Sequence, residues 1–286
     1  MKKLLTVLLA SLLVLGAMVG LTGCKKGSDS SQYNDFKSKT ITVGITNAAP
    51  MNYQKDGKWI GFDTELTVAV FNALGYNVMF KEISWAQKYV ELNAGTIDCI
   101  WNGFTSNSTD EDANGNEVAR SELVNFSMDY MINEQCIVKN KNVAFEDENS
   151  FNQKTIAYEI GSSGETGVGW LEEDYTDVTF IKKGMVSQAN ALQEVNAGTA
   201  DFAVVDKTLA DNAASGGYTN IEIVDFDYFG LEYYAIGFAK TAAGAALRDK
   251  VNVLLNAFYN VGYLEELAEK YAVDFATKIV PCFAIA

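Results

Sequence analysis

One stretch occurs twice in this chain. Residues 91–98 read Glu91-Leu-Asn-Ala-Gly-Thr-Ile-Asp98, and residues 194–201 read Glu194-Val-Asn-Ala-Gly-Thr-Ala-Asp201. Each copy ends an apolar-periodic run and leads into a buried-looking strand, Cys99-Ile-Trp101 or Phe202-Ala-Val-Val205. The pattern predicts a helix closed by Gly, a tight polar turn ending in Asp, and a central strand. The copies lie about a hundred residues apart, far beyond a solenoid period, which implies two α/β lobes of similar plan. Such lobes leave a cleft at their strand ends, where small ligands bind.

The 286 residues suffice for two cores, and a hydrophobic fraction of 48% suits a folded body. A net charge of −15 argues against nucleic acid or anionic lipid as a partner of that body. With no His in the chain, imidazole general-base chemistry and His-ligated metal sites are excluded. Cys99, Cys136 and Cys282 show no disulfide or zinc spacing, and Cys99 and Cys136 are expected to be buried.

Met1-Lys2-Lys3 followed by apolar Leu4–Val19 reads as a secretory signal peptide over residues 1–23. It closes on Leu21-Thr22-Gly23-Cys24, which resembles the bacterial lipobox and implies lipidation of Cys24 and an extracytoplasmic, membrane-anchored protein. Residues 24–39 form a polar tether. Lobe 1 is expected over 40–132 and 233–276, lobe 2 over 133–232, and a tail over 277–286. Hinge crossings fall near 130–138 and on Leu231–Ala239, residues 139–153 form an exposed connector, and Asp63 caps the helix that follows it.

Gly61-Phe62-Asp63, the Trp85 helix, Leu92–Asp98 and Asn102-Gly-Phe-Thr105 come in a characteristic order. They are followed by Arg120 before Phe126-Ser127, Ile160-Gly-Ser-Ser-Gly-Glu165 and Asp201–Asp206. Together they resemble the polar amino-acid-binding proteins of bacterial ABC importers. The resemblance implies a type II periplasmic-binding-protein-like α/β fold with two hinge crossings, closing on one free amino acid that is passed to an ABC permease. A monomer is expected, without catalysis, cofactor or metal.

The residue chemistry agrees. A zwitterion stripped of water needs a charged partner at each end. Arg120 offers a fork for the ligand carboxylate, helped by Asn102, Gly103 and Thr105 and by Ser162 and Ser163 at a helix start. Asp206 ends a buried strand; its alternative role is to cap the next helix, while the resemblance gives it the ligand's amino group. Glu159 is a candidate reader of a polar or cationic side chain, and Trp85, Trp101 and Tyr53 are candidates for the apolar wall, with core packing the alternative for each Trp.

The chain departs from the family at residues 106–119, longer than usual there. Asp110-x-Asp112-x-Asn114-Gly115 imitates the start of a calcium loop, but the closing position holds Ser121, so a solvated surface turn is expected. Two competing functions share the scaffold: a catalytic domain (dehydratase or cell-wall lytic) and an amino-acid sensor for a signalling partner.

Overall fold

The computed structural model describes residues 39–280. The signal peptide, Cys24, all of the tether but Lys39, and Cys282 lie outside these residues. Eight strands form one continuous path, in the order β11 (Ile181–Met185), β10 (Thr155–Glu159), β12 (Phe202–Asp206), β9 (Met131–Asn140), β14 (Leu231–Ala239), β5 (Cys99–Thr105), β1 (Thr40–Ile45), β4 (Asn77–Glu82). Strands β4, β1 and β5 run parallel and meet β14 antiparallel; β11, β10 and β12 run parallel and meet β9 antiparallel. The two lobes therefore repeat one design, and β9 and β14 are the two crossings, paired with each other from Leu231↔Glu134 to Tyr234↔Met131.

The repeated stretch explains the likeness. In lobe 1 the Asp98 carboxylate accepts the Thr42 N–H at 2.7 Å; in lobe 2 the Asp201 carboxylate accepts the Thr155 N–H at 2.9 Å. Lys81 of β4 pairs with Glu91 at 2.6 Å, and Lys183 of β11 pairs with Glu194 at 2.6 Å. Thr96 and Thr199 each hydrogen-bond the preceding Glu carboxylate as well as its carbonyl. Each turn thus ties helix end, first strand and edge strand of its sheet together.

Helices Phe62–Ala73, Ala242–Asn260 and Tyr263–Lys270 cover one face of lobe 1 and bury Leu66, Val70, Phe71, Val251, Leu254, Leu255, Leu264 and Leu267. In lobe 2, helices Ser163–Asp174, Gln188–Ala197 and Lys207–Gly216 pack on both faces of the sheet. Cys99 and Cys136 are buried thiols, as expected.

The connector is exposed or half-buried along most of its length, as expected, but is anchored by aromatic rings. Within 139–153, Phe151 is fully buried with its ring edge-on to Phe202 at 5.0 Å, and the half-buried Phe145 packs against both, tilted to Phe151 and edge-on to Phe202. Burying two aromatic rings stabilises more than exposing a polar loop would. Asp63 differs from expectation. Gly61 occupies the cap position, and the buried Asp63 carboxylate instead accepts from Tyr130 Oη at 2.8 Å and from the Gly103 N–H at 3.1 Å.

Candidate functional site between the lobes

The C-terminal ends of β5, β10 and β12 converge on the gap between the lobes, where an open α/β sheet presents its ligand. The gap is narrow and lined by Trp85, Asn102, Gly103, Thr105 and Arg120 from lobe 1 and Glu159, Ser162, Ser163, Gln188 and Asp206 from lobe 2. The structure thus brings together every expected ligand residue except Trp101 and Tyr53.

Those two belong elsewhere. The strand's period of two sends Trp101, like Cys99, to the helix-covered face of lobe 1, where its fully buried ring packs 6.0 Å from Phe71 and 6.2 Å from Tyr130. Tyr53 lies on a separate surface hollow with Ile60, Lys270 and Tyr271, its ring edge-on to Tyr271 at 6.4 Å. Trp85 alone walls the gap, held edge-on to Phe104 at 5.2 Å.

Arg120, 1% exposed, begins the short helix Arg120–Leu123. Its Nη1 donates to the Thr105 carbonyl at 3.2 Å and reaches Ser163 Oγ of the other lobe at 3.3 Å. Ser163 Oγ also lies 3.3 Å from Thr105 Oγ1, so the lobes meet through hydroxyls at the Arg fork. Gly103 sits at φ +57°, and a Cβ there would be 3.0 Å from the Tyr234 ring, so only Gly keeps this strand end open. Asn102 braces the neighbouring loop, accepting from the Thr46 N–H at 2.7 Å and donating to Thr46 Oγ1 at 2.6 Å.

Across the gap, Ser162 caps helix Ser163–Asp174 by accepting from Gly164 and Glu165 N–H. Asp206 makes no cap bond to the helix it precedes. Its carboxylate accepts from Gln135 at 2.5 Å, Gln188 at 2.8 Å and Asn133 at 3.2 Å. Asn133 and Gln135 of β9 each also donate to Glu232 of β14 at 2.9 Å, so two amides hold two carboxylates together on the hinge strands. Burial and then the Glu232 charge push Asp206 up to about 6. Glu159, 3% exposed, has an Oε1 with no hydrogen-bond partner; burial and then Asp206 push it up to about 8, against the pull of Lys88. The lobe 2 wall thus presents two carboxyl groups held by burial above their ordinary range, and an ammonium group between them would favour their ionised forms.

Gln188 and Lys88 were not among the expected site residues, and Asp110 was expected only in a surface turn. Gln188 opens a helix just after β11, and its place after a parallel strand could have flagged it. Lys88 and Asp110 carry no such signal. The insertion folds as a hairpin, β6 (Thr109–Glu111) with β7 (Glu117–Ala119), whose tip matches the expected surface turn. Asp112 there accepts from the Asn114 and Asn116 N–H groups. Asp110, however, turns inward to Arg120, because a buried guanidinium needs a counter-charge.

The sequence profile of the bacterial extracellular solute-binding proteins, family 3, matches residues 41–274. The probable amino-acid-binding protein YxeM of Bacillus subtilis (strain 168) is 29% identical over 95% of this chain and 95% of its own length. The arginine-binding extracellular protein ArtP of the same organism is 26% identical over 95% and 98%. Among solved structures, an ABC uptake transporter substrate-binding protein from Streptococcus pneumoniae with bound histidine shares 28% identity at a TM-score of 0.71, covering 85% of this chain and 97% of its own. An ancestral arginine-binding protein bound to arginine shares 25% identity at 0.69, covering 82% and 99%. The chain belongs to the bacterial extracellular solute-binding proteins, family 3.

Proposed function

We propose that this chain is the substrate-binding protein of an ABC importer, tethered outside the cytoplasm through a lipidated Cys24, and that it closes on a single polar or cationic amino acid. One observation carries the reading: Arg120 of the first lobe and Asp206 of the second face the same enclosed gap, as the two ends of a zwitterion require. Arg120, Thr105 and Ser163 receive the carboxylate, with Asn102 and Gly103 shaping that end and Ser162 fixing the helix behind it. Asp206, steadied by Gln188, receives the α-ammonium; Glu159 reads the side chain and Trp85 supplies the apolar wall. Lobe 1 comprises 40–132 and 233–276 and lobe 2 comprises 133–232, so ligand contacts drawn from both favour the closed state. The protein works as a monomer, without metal or cofactor, and delivers the amino acid to its permease.

Calorimetric titration of the mature protein with the twenty amino acids tests this reading. Binding of at least one, abolished by Arg120→Ala and weakened at least tenfold by Arg120→Lys, is expected; no binding to any overturns it. Release of the protein from membranes by Cys24→Ala tests the anchor. The raised pKa of Glu159 in a cleft favours one second reading, catalysis by a carboxylic acid. Mass spectrometry of the ligand before and after incubation separates the two, since a receptor returns it unchanged.

A further inference from the structure

Lys88 has no place in the roles assigned so far, yet it is 3% exposed, a rare state for a lysine. It begins helix Lys88–Asn93 on the lobe 1 side of the gap. Its Nζ lies 3.0 Å from Asp110 Oδ2 and donates to the Gly161 carbonyl of the second lobe at 2.9 Å. The rings of Tyr89 and Trp85 lie beneath it at 4.6 and 5.2 Å. The approach is close on both sides: Gly161, at φ +77°, would place a Cβ 3.1 Å from Ala86 Cα.

Asp110 joins the two cations. Its Oδ2 lies 3.2 Å from Arg120 Nε and accepts from Tyr89 Oη at 2.6 Å, and its Oδ1 accepts from Arg120 Nη2 at 3.2 Å. Burial works against its charge, but Arg120 and then Lys88 hold it below the ordinary carboxylate range. Of the five N–H groups of a guanidinium, one Nη2 N–H is hydrogen-bonded to Asp110, whose other oxygen blocks the Nε side at ion-pair distance without forming a hydrogen bond to it. The Thr105 carbonyl engages one Nη1, and the other Nη1 N–H rests on a neutral hydroxyl, Ser163 Oγ. What remains for an incoming anion is the end of the fork, one N–H from each Nη. At this end of the gap two cations stand against one carboxylate, a single net positive charge that one ligand carboxylate neutralises. At the other end stand the carboxyl groups of Glu159 and Asp206, with Glu232 joined to Asp206 through Asn133 and Gln135; they offer a second carboxylate no cationic partner of their own.

We infer that Lys88 and Asp110 are specificity-determining residues of the site: Asp110 fixes Arg120 to receive a carboxylate end-on, and with Lys88 it sets the charge there to match monocarboxylic amino acids and reject dicarboxylic ones. This rests on the receptor reading above.

The test is calorimetric titration of the mature wild-type protein and its Lys88→Met, Asp110→Asn and doubly substituted variants. The probes are the best-binding monocarboxylic amino acid of the twenty, glutamate and aspartate. Lys88→Met, which leaves Arg120 and Asp110 with no net charge between them, is expected to weaken the monocarboxylic ligand at least tenfold. Asp110→Asn leaves two positive charges and is expected to shift the ratio of affinities at least tenfold toward glutamate or aspartate. The double variant restores the wild-type charge and should recover part of the Lys88→Met loss. If Lys88→Met does not fold, Lys88→Gln replaces it, keeping a donor for Gly161 without the charge. A wild-type preference for glutamate or aspartate overturns the inference. So do losses that multiply in the double variant with an unchanged selectivity ratio, which mark a structural role only. A wild type that binds no amino acid overturns the receptor reading and this inference with it.

Discussion

Glu159 and Asp206 hold protons to about pH 8 and 6 in the ligand-free cleft, and an ammonium group placed between them favours their ionised forms. Binding of an amino acid at pH 7 should therefore release protons, read as a dependence of the binding enthalpy on the ionisation enthalpy of the buffer. Glu159→Gln should remove most of that dependence, and a buffer-independent enthalpy in the wild type would contradict the assignment. Trp101 tests the opposite case. Buried between Phe71 and Tyr130 and away from the gap, Trp101→Ala should cost about 3–5 kcal/mol of stability in urea unfolding. The affinity of the molecules that remain folded should stay within threefold. Trp85 and Trp101 were indistinguishable by residue type, because what separates them is which face of which element each occupies.

At the scale of elements, the hinge strands do more than connect. Asn133 and Gln135 of β9 bridge Asp206 to Glu232 of β14, so the Asp206 end of the gap is built on the two crossings themselves. Replacing Gln135 by Leu removes a donor shared by two carboxylates. It should raise the pKa of Asp206 further and weaken amino-acid binding at least tenfold at pH 6, with part of the loss recovered at pH 8; titrations at the two pH values check this. The loop between β10 and helix Ser163–Asp174 supplies a second test. At Gly161 a Cβ meets the Ala86 backbone and the φ is left-handed, so Gly161→Val should hinder closure. Small-angle scattering with saturating ligand should then show a larger radius of gyration than the wild type. Both strands and this loop were readable from alternation and turn residues. The amide bridge was not, since it depends on register across three strands, β12, β9 and β14.

For the whole molecule, three carboxyls, Asp63 and Glu159 buried and Asp206 half-buried, decide the pH dependence of ligand-free stability. Burial raises Asp63 to about 7, Glu159 to about 8 and Asp206 to about 6. Each then binds a proton in the folded state that the unfolded chain has already lost above its ordinary carboxylate range. Stability should fall as pH rises from about 5 to 8, by at most about 1.4 kcal/mol per pH unit for each group. Thermal melts of the ligand-free protein should show Tm lower at pH 8 than at pH 5, and saturating ligand should flatten the slope. A flat ligand-free profile would mean that these carboxyls are not buried as described.

The sequence by itself determined the two-lobed plan, because the duplicated Glu-x-Asn-Ala-Gly-Thr-x-Asp turn makes the same local bonds in each half, Asp98 to Thr42 and Asp201 to Thr155. The order of motifs that resembles the family also pointed to Arg120 and Asp206, and both line the gap. Tertiary structure alone decided the burial of Trp101 and the placing of Asp63 under Gly103. It alone turned Asp110 from its hairpin toward Arg120 and Lys88. Periodicity and turn chemistry act over neighbouring residues, whereas the partner of a buried charge is set by whatever the closed chain brings within about 4 Å of it.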